Sequence, residues 1–317
     1  MKLPFKLSVD RDFDAVGFGL NAVDHLIVVP HFPQFDTKIR LRKHQQSAGG
    51  QTATAMVALQ RLGFQTAYAG RFGSDDAGQF GLQTLIDEGV NVEFAEVVSG
   101  ARNQIAFIVI DERNGERTII WDRDEQLAYS PDNAPITIAS RGTILHLDAH
   151  DPAACARMAE AAHATATIVT ADIDNIYDGL PELLPLIDVL ITSSDFPYRL
   201  TGITDESEGL LELKARYGCR VVGITKGVQG ALVYCEGAFF NSPAYEVPGG
   251  CRDTTGAGDA FHAGFICGLV RGEDVENCLK LGNATASLKC RALGARAALP
   301  TTSELDAFLE TAQAIKN

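Results

Sequence analysis

The run Asp253-Thr254-Thr255-Gly256-Ala257-Gly258-Asp259-Ala260-Phe261 concentrates the chemistry of this chain. Small residues at Gly256, Ala257 and Gly258 let the backbone approach a ligand closely and aim several N–H groups at it. Phe261, Phe265 and Leu269 then recur every four residues, so the spacing predicts a helix opening near Gly258 with an anion cradle at its start. Asp259 beside such a cradle suits phosphoryl transfer. The amides stabilise the moving phosphoryl group, and the carboxylate takes the proton of an attacking hydroxyl. Asp is also a favoured helix N-cap, and a purely structural Asp259 fits the same residues.

Two further glycine clusters lie near the start of the chain. Ala48-Gly49-Gly50-Gln51-Thr52-Ala53-Thr54 precedes an amphipathic helix, where the glycines admit a polar ligand and the Gln51 amide can donate and accept; close helix–strand packing is the alternative. Gly17-Phe18-Gly19-Leu20-Asn21-Ala22 matches a relaxed dinucleotide fingerprint, with Asp36 near the expected offset of the ribose-binding acid. That fingerprint needs a helix at its third position. The residues instead run into DHLIVVPHFP, whose β-branched residues and two prolines disfavour one, and with it a dehydrogenase. Asn21 and Asp24 would then lie just past a strand end, where open α/β sheets bind ligands, and could hold paired hydroxyls. Neither a Walker-type phosphate loop nor a GxSxG nucleophile elbow occurs. His146 and His150, in HLDAH, lack the zinc-protease pattern and read as pocket-rim or packing residues.

These residues need elements to position them. Short apolar runs at 15–20, 65–69, 143–147, 167–171, 189–192 and 220–225 read as strands. Helical segments at 51–62, with Ala53, Met56, Val57 and Leu62 on one side, and at 79–88, with Phe80, Leu85 and Ile86, alternate with them. The pattern is that of an α/β protein with a mainly parallel sheet flanked by helices, in one domain over residues 1–317. Two stretches break the alternation, at about 22–45 and 100–125. The second has Asn114-Gly115 between apolar runs, a hairpin signal, and together the two predict a small β-rich flap.

Lys and Arg number 27 against 41 Asp and Glu, a net charge of −14, which repels a phosphate backbone and argues against nucleic acid as a partner. Seven cysteines form an odd set without a CxxC pair, as expected of reduced, packed thiols. The opening MKLPFKLSVDRDFD has no apolar signal-peptide core, and nowhere do about 18 apolar residues run together. The expectation is a cytoplasmic protein with no membrane partner.

DTTGAGDAF resembles the C-terminal signature of the ribokinase (phosphofructokinase B-like) carbohydrate kinases, and GGQTATAMVALQRLG resembles their N-terminal signature. GLNAVD, AGRFGSDDAG and TKGVQGALVY follow in the family's order, so the resemblance spans about residues 15–300. It implies a ribokinase-like fold and transfer of the γ-phosphoryl group of ATP, with Mg2+, to a hydroxyl of a sugar or sugar derivative. By position it makes Asp259 the base and Gly256, Ala257 and Gly258 the anion hole. Asn21, Asp24, Gly49, Gly50 and Gln51 fall to the substrate, Thr225 and Gly227 to the nucleotide phosphates, and Asn283 to the adenine site.

The flap corresponds to a lid that closes over substrate and can join a homodimer. Some relatives hold a monovalent cation, such as K+, beside the anion hole, and Asp253, Thr255 and the Gly294 region are the corresponding places. A nucleoside kinase of the same family, or a non-catalytic sugar- or nucleotide-binding homologue, shares these signatures.

Three departures stand out. Gln51 replaces the family's usual Asn. Ser193-Ser194-Asp195-Phe196 stands where the family has Asn-x-x-Glu, leaving Asp195, Asp172 or Asp174 to serve magnesium through water. Arg252 replaces a residue that is more often apolar, and reads either as a contact to a substrate anion or as a surface ion pair.

Overall fold

The computed structural model describes residues 1–8, 10–113, 116–312 and 314–315. Its strands are β1 (Phe13–Phe18), β2 (Ala22–Val29), β3 (Lys43–Gly49), β4 (Thr66–Ala69), β5 (Arg71–Gly73), β6 (Glu96–Val98), β7 (Ile105–Asp111), β8 (Arg117–Asp122), β9 (Gly142–Leu147), β10 (Ile168–Ile173), β11 (Val189–Ser193), β12 (Val221–Thr225), β13 (Ala231–Cys235) and β14 (Ala238–Ser242). The helices are α1 (Gln51–Arg61), α2 (Asp76–Asp87), α3 (Ile136–Ala139), α4 (Pro152–His163), α5 (Leu180–Leu183), α6 (Phe196–Thr201), α7 (Glu206–Tyr217), α8 (Ala257–Val270), α9 (Val275–Lys289) and α10 (Thr302–Thr311).

The main sheet runs β14-β13-β12-β11-β10-β9-β1-β4, parallel from β4 through β12 and antiparallel at its β13–β14 edge. Side chains along its strands alternate between two cores, as period-2 geometry requires. Ala15, Ile144 and Ile191 pack with Met56, Phe261, Leu279 and Leu305 of α1, α8, α9 and α10. Val16, Leu145 and Leu190 pack with Ile138, Met158 and Leu210 of α3, α4 and α7. The chain leaves β1 for β4 on one side and returns to β9 on the other, so the connections reverse direction at β1, and a crevice opens beyond the strand ends there.

The smaller sheet, β3-β2-β7-β8, stands apart over that crevice, and β5 pairs with β6 separately. Its strands β2, β7 and β8 fall within the two segments that break the βα alternation and β3 runs four residues past the first of them, whereas the turn expected at Asn114-Gly115 lies outside the described residues. Residues 21–23 continue into strand rather than helix, which removes the dinucleotide-binding alternative. In α2 the buried positions are Gly78, Gly81 and Leu85. Phe80 and Ile86, expected inside, are exposed because the face carrying Gly78, Gly81 and Leu85 is the one that packs against the core.

Helix starts differ in how they are capped. α2, α7, α9 and α10 begin on Asp75, Asp205, Asp274 and Thr301, whose side chains accept an amide of the first turn, each worth roughly 0.5–2 kcal/mol. α1 and α8 begin on Gly50 and Gly256, without a side-chain cap. Asp259 lies three residues beyond the cap position of α8, so it is not the N-cap that its residue type allowed.

Candidate active site

Strand register selects which side chains of the small sheet reach the crevice. Asp24 pairs with Ala106 and Ala106 with Trp121, while Ile108 pairs with Ile119; the alternation puts Ala22, Asp24, Ala106, Ile108, Arg117, Ile119 and Trp121 along one cavity of about 590 Å3. The other side of that cavity is built from Gln51 at the start of α1, Asp172 near the end of β10 and Asp174 just beyond it, and Thr254 to Gly256, Gly258 and Asp259.

Asn21 is the exception among the expected acceptor contacts. It lies just before β2 and does not line that cavity. Its Nδ2 instead donates to Arg71 O at 2.7 Å and Tyr68 Oη at 3.3 Å, a bracing role in the buried layer. Gly49 contributes by having no side chain. A Cβ there would fall 2.2 Å from Asp24 Oδ2, and its carbonyl accepts from the buried Arg296.

A second cavity of about 430 Å3, more apolar, lies on the far side of the α8 start, between Thr225, Gly227, Val228, Tyr245, Ala257 and Phe261. Thr225, Thr254 and Gly258 line both cavities, so the two meet at the first turn of α8. Asn283 also borders the second cavity, but its Nδ2 donates to Ser242 O at 3.0 Å and Pro243 O at 3.2 Å, fixing the cavity wall.

The turn that carries the join is unusual. Gly256 has φ +78°, and a Cβ on it would meet Ala295 Cβ at 2.8 Å, so only glycine fits without displacement. The Ala257 N–H turns back onto Thr254 O at 3.1 Å, and the first bond into α8 runs from Ala260 N–H to Gly256 O at 3.0 Å. The amides of Gly258 and Asp259 precede that bond, at a helix start without a side-chain cap, and so have no partner in the helix; Ala257, expected among the donors, is engaged internally.

Acid residues dominate the electrostatics. Burial, and then the charges of Asp172, Asp24 and Asp174, push the Asp259 carboxyl well above the ordinary carboxylate range, with Arg296 opposing. Burial also raises Asp24 to about 6, again against Arg296, and burial with the nearby Asp172 raises Asp174 to about 6. Asp172 Oδ1 lies 3.2 Å from His262 Nε2. Deeper in, burial would raise Asp148, but hydrogen bonds involving His150, the Leu20 N–H and Thr52 hold it at about 2. That carboxylate ties the end of β1 to the start of α1, fixing Gly50 and Gln51. His150 borders the cavity and His146 is buried, where burial lowers its pKa to about 3.

Among the described residues, no group of three or more His, Cys, Asp or Glu has metal-holding geometry. Asp172 and Asp174 nevertheless suit a magnesium ion that keeps most of its waters and phosphate ligands. Asp195 does not line the cavity; it accepts from Ser193 at 2.8 Å and lies 3.4 Å from Arg199. Arg252 is exposed and borders neither cavity, so the reading of it as an anion contact is set aside. Arg117, Arg199, His262, Lys289 and Arg296 were not anticipated from sequence. Arg199 carried a weak signal, four residues after Asp195; nothing local announces that Lys289 and Arg296 are buried.

Two cavities joined at an uncapped helix start lie at the mouth of a mainly parallel sheet and beneath a small β-sheet, within a ribokinase-like fold. The chain belongs to the pfkB family of carbohydrate kinases, whose family model matches residues 14–302. It is 28% identical to the ATP-dependent ribose-1-phosphate kinase of Halopiger xanaduensis, over 90% of this chain and 94% of the relative. It is 26% identical to the nucleoside kinase of Methanothermobacter thermautotrophicus, over 94% and 95%. Among solved structures it resembles a candidate ribokinase II of Escherichia coli in complex with ATP and Mg2+, with TM-score 0.80, 21% identity, and 94% and 99% of the two chains covered. No helix among the described residues is long and apolar enough to cross a membrane.

Proposed function

We propose that the protein transfers the γ-phosphoryl group of ATP to a hydroxyl of a sugar or sugar derivative. The acceptor occupies the larger cavity, with Asp24 and Gln51 as hydroxyl partners, and ATP occupies the smaller one, with its phosphates along Thr225 and Gly227. The observation that carries this reading is that the two cavities share Gly258, beside Asp259, so acceptor and phosphoryl donor converge on one carboxylate.

Asp259 takes the acceptor proton as the new O–P bond forms, and the Gly258 and Asp259 amides stabilise charge on the transferring group. Asp172 and Asp174 would hold magnesium, which would supply charge neutralisation for the triphosphate. Arg117 donates from β8 to Thr254 Oγ1, a contact suited to drawing the small sheet down over the acceptor and excluding water. The exposed Phe107 and Ile120 on the outer face of that sheet suit contact with a second copy of the chain.

ATP consumption with Mg2+ across D-ribose, D-fructose, sugar phosphates and nucleosides tests the reading; a folded protein inactive on all of them would count against it. A nucleoside acceptor is the second reading, favoured by Trp121, whose ring borders the acceptor cavity and can stack on a base. Thermal shifts with ribose and adenosine separate the two.

A further inference from the structure

Lys289, the last residue of α9, is fully buried, and its Nζ donates to the main-chain carbonyl of Asp253 at 2.8 Å. Asp253 opens the segment that leads into the α8 start. One of its carboxylate oxygens accepts from Thr255 N and the other from Gly294 N, both at 2.8 Å. The ammonium therefore sits where the loop at 253–256 and the loop at 294–296 are sewn together, behind the amides assigned to the transferring phosphoryl group. This is the place where the family resemblance puts a monovalent cation. The ammonium already engages the Asp253 carbonyl, one of the oxygens this region could offer a potassium ion, and a second cation alongside would meet like-charge repulsion in a poorly solvated site.

We propose that Lys289 supplies, as a covalently attached charge, the fixed cation beneath the anion hole, and that the enzyme works without K+. The inference rests on the kinase reading above. A trans peptide points its C=O and the following N–H in opposite directions. An ammonium that holds the Asp253 carbonyl on the buried side thus turns the Thr254 N–H away from itself and fixes the plane from which the catalytic turn starts. Lys289 touches neither cavity, so its role is to position that turn. Burial lowers the proton affinity of the amine, while Asp253 opposes the change and favours the charged form. Cys290 adjoins it, and Arg117 and Asp259 are the other charged groups that act on it.

The test compares wild type, Lys289→Met and Lys289→Arg in choline chloride and in KCl at equal ionic strength. Two readouts are taken: ATP turnover with whichever of D-ribose, D-fructose or adenosine the wild type uses, and the thermal midpoint. The wild type is expected to differ by less than about twofold in rate and about 1 °C in midpoint between the salts. Lys289→Met should lose at least about tenfold in kcat in choline and regain several-fold in KCl, with a higher midpoint in KCl, because potassium can enter once the ammonium is gone. Lys289→Arg should keep more activity than Lys289→Met in choline.

Several-fold potassium activation or stabilisation of the wild type overturns the proposal. So does a folded Lys289→Met that responds identically to both salts, which would leave the lysine a packing residue. If Lys289→Met does not fold, the wild-type comparison decides. If the wild type turns over no acceptor, the kinase reading fails, and the thermal comparison still decides whether the lysine excludes potassium.

Discussion

The Nε2 of His262 lies 3.2 Å from Oδ1 of Asp172, and His262 is one turn along α8 from Asp259. The contact ties Asp172 to the helix that carries the proposed base. After burial, Asp172 is the largest influence raising the Asp259 pKa. A base must be deprotonated to act, so kcat/KM for MgATP should climb with pH through a midpoint well above ordinary carboxylate values. Asp172→Asn removes a negative neighbour and should move that midpoint to lower pH. An unmoved midpoint in the pH–rate profile would assign the shift to burial and the other carboxylates.

Asp259→Asn keeps the volume and removes the base. Turnover should fall by about 10²–10⁴-fold, while the ATP dissociation constant, measured calorimetrically, stays within about threefold. Equal turnover in the two proteins would mean that the residue is a bystander and that the chain is better read as a binding protein.

Asp24 and Asn21 should separate cleanly. Asp24→Ala removes an acceptor contact and should raise the acceptor KM by about 10- to 100-fold. Asn21→Ala leaves the Arg71 carbonyl without its donor and should cost roughly 1–2 kcal/mol of stability, with the acceptor KM within about twofold. Steady-state kinetics and denaturant melts read both. The contrast follows from where each side chain is engaged: Asp24 lines the acceptor cavity, whereas Asn21, just before β2, is bonded to the Arg71 carbonyl, which Asn-x-x-Asp read as a single ligand pair does not reveal.

The Asp24 carboxyl is raised from 3.8 to about 6 by burial. Between those values the folded chain holds a proton that the unfolded chain releases, so this group's contribution to stability is complete below about pH 4 and is lost as pH rises through about 6. Asp24→Asn removes that penalty. Above pH 7 the variant should be more stable than wild type by on the order of 1–3 kcal/mol, with no gain at pH 4. Unfolding curves at the two pH values test the sign, and a gain of equal size at both would trace it to packing.

Gly256→Ala forces a side chain onto a backbone at φ +78° and against Ala295. It should cost roughly 1–3 kcal/mol in stability and lower kcat more than it raises the ATP KM, since the displaced amides act on the transferring group. Thermal melts with parallel kinetics measure both effects.

Most of the framework was legible because its signals are local. The strands at 143–147, 189–192 and 220–225 lie within a residue or two of β9, β11 and β12, and the four-residue spacing after Gly258 located α8. The glycines at 49, 50 and 256 declared themselves by type. The charged residues were harder, because burial of Lys289 or Arg296 depends on what other elements bring to them: the Arg296 guanidinium is set by Gly49, Thr54 and Thr84, all more than 200 positions away. Phe80 and Ile86 misled for the same reason; their spacing was helical, but the face of α2 that met the core was chosen by Gly78 and Gly81.

The loop at 294–296 packs on Gly256, and Arg61 of α1 donates to Arg296 O at 3.0 Å and Leu299 O at 3.1 Å. Early and late parts of the polypeptide thus clasp each other across the reaction centre. During synthesis on a ribosome, a chain that has emerged only as far as α8 carries its carboxylate without the clasp that holds the turn in shape.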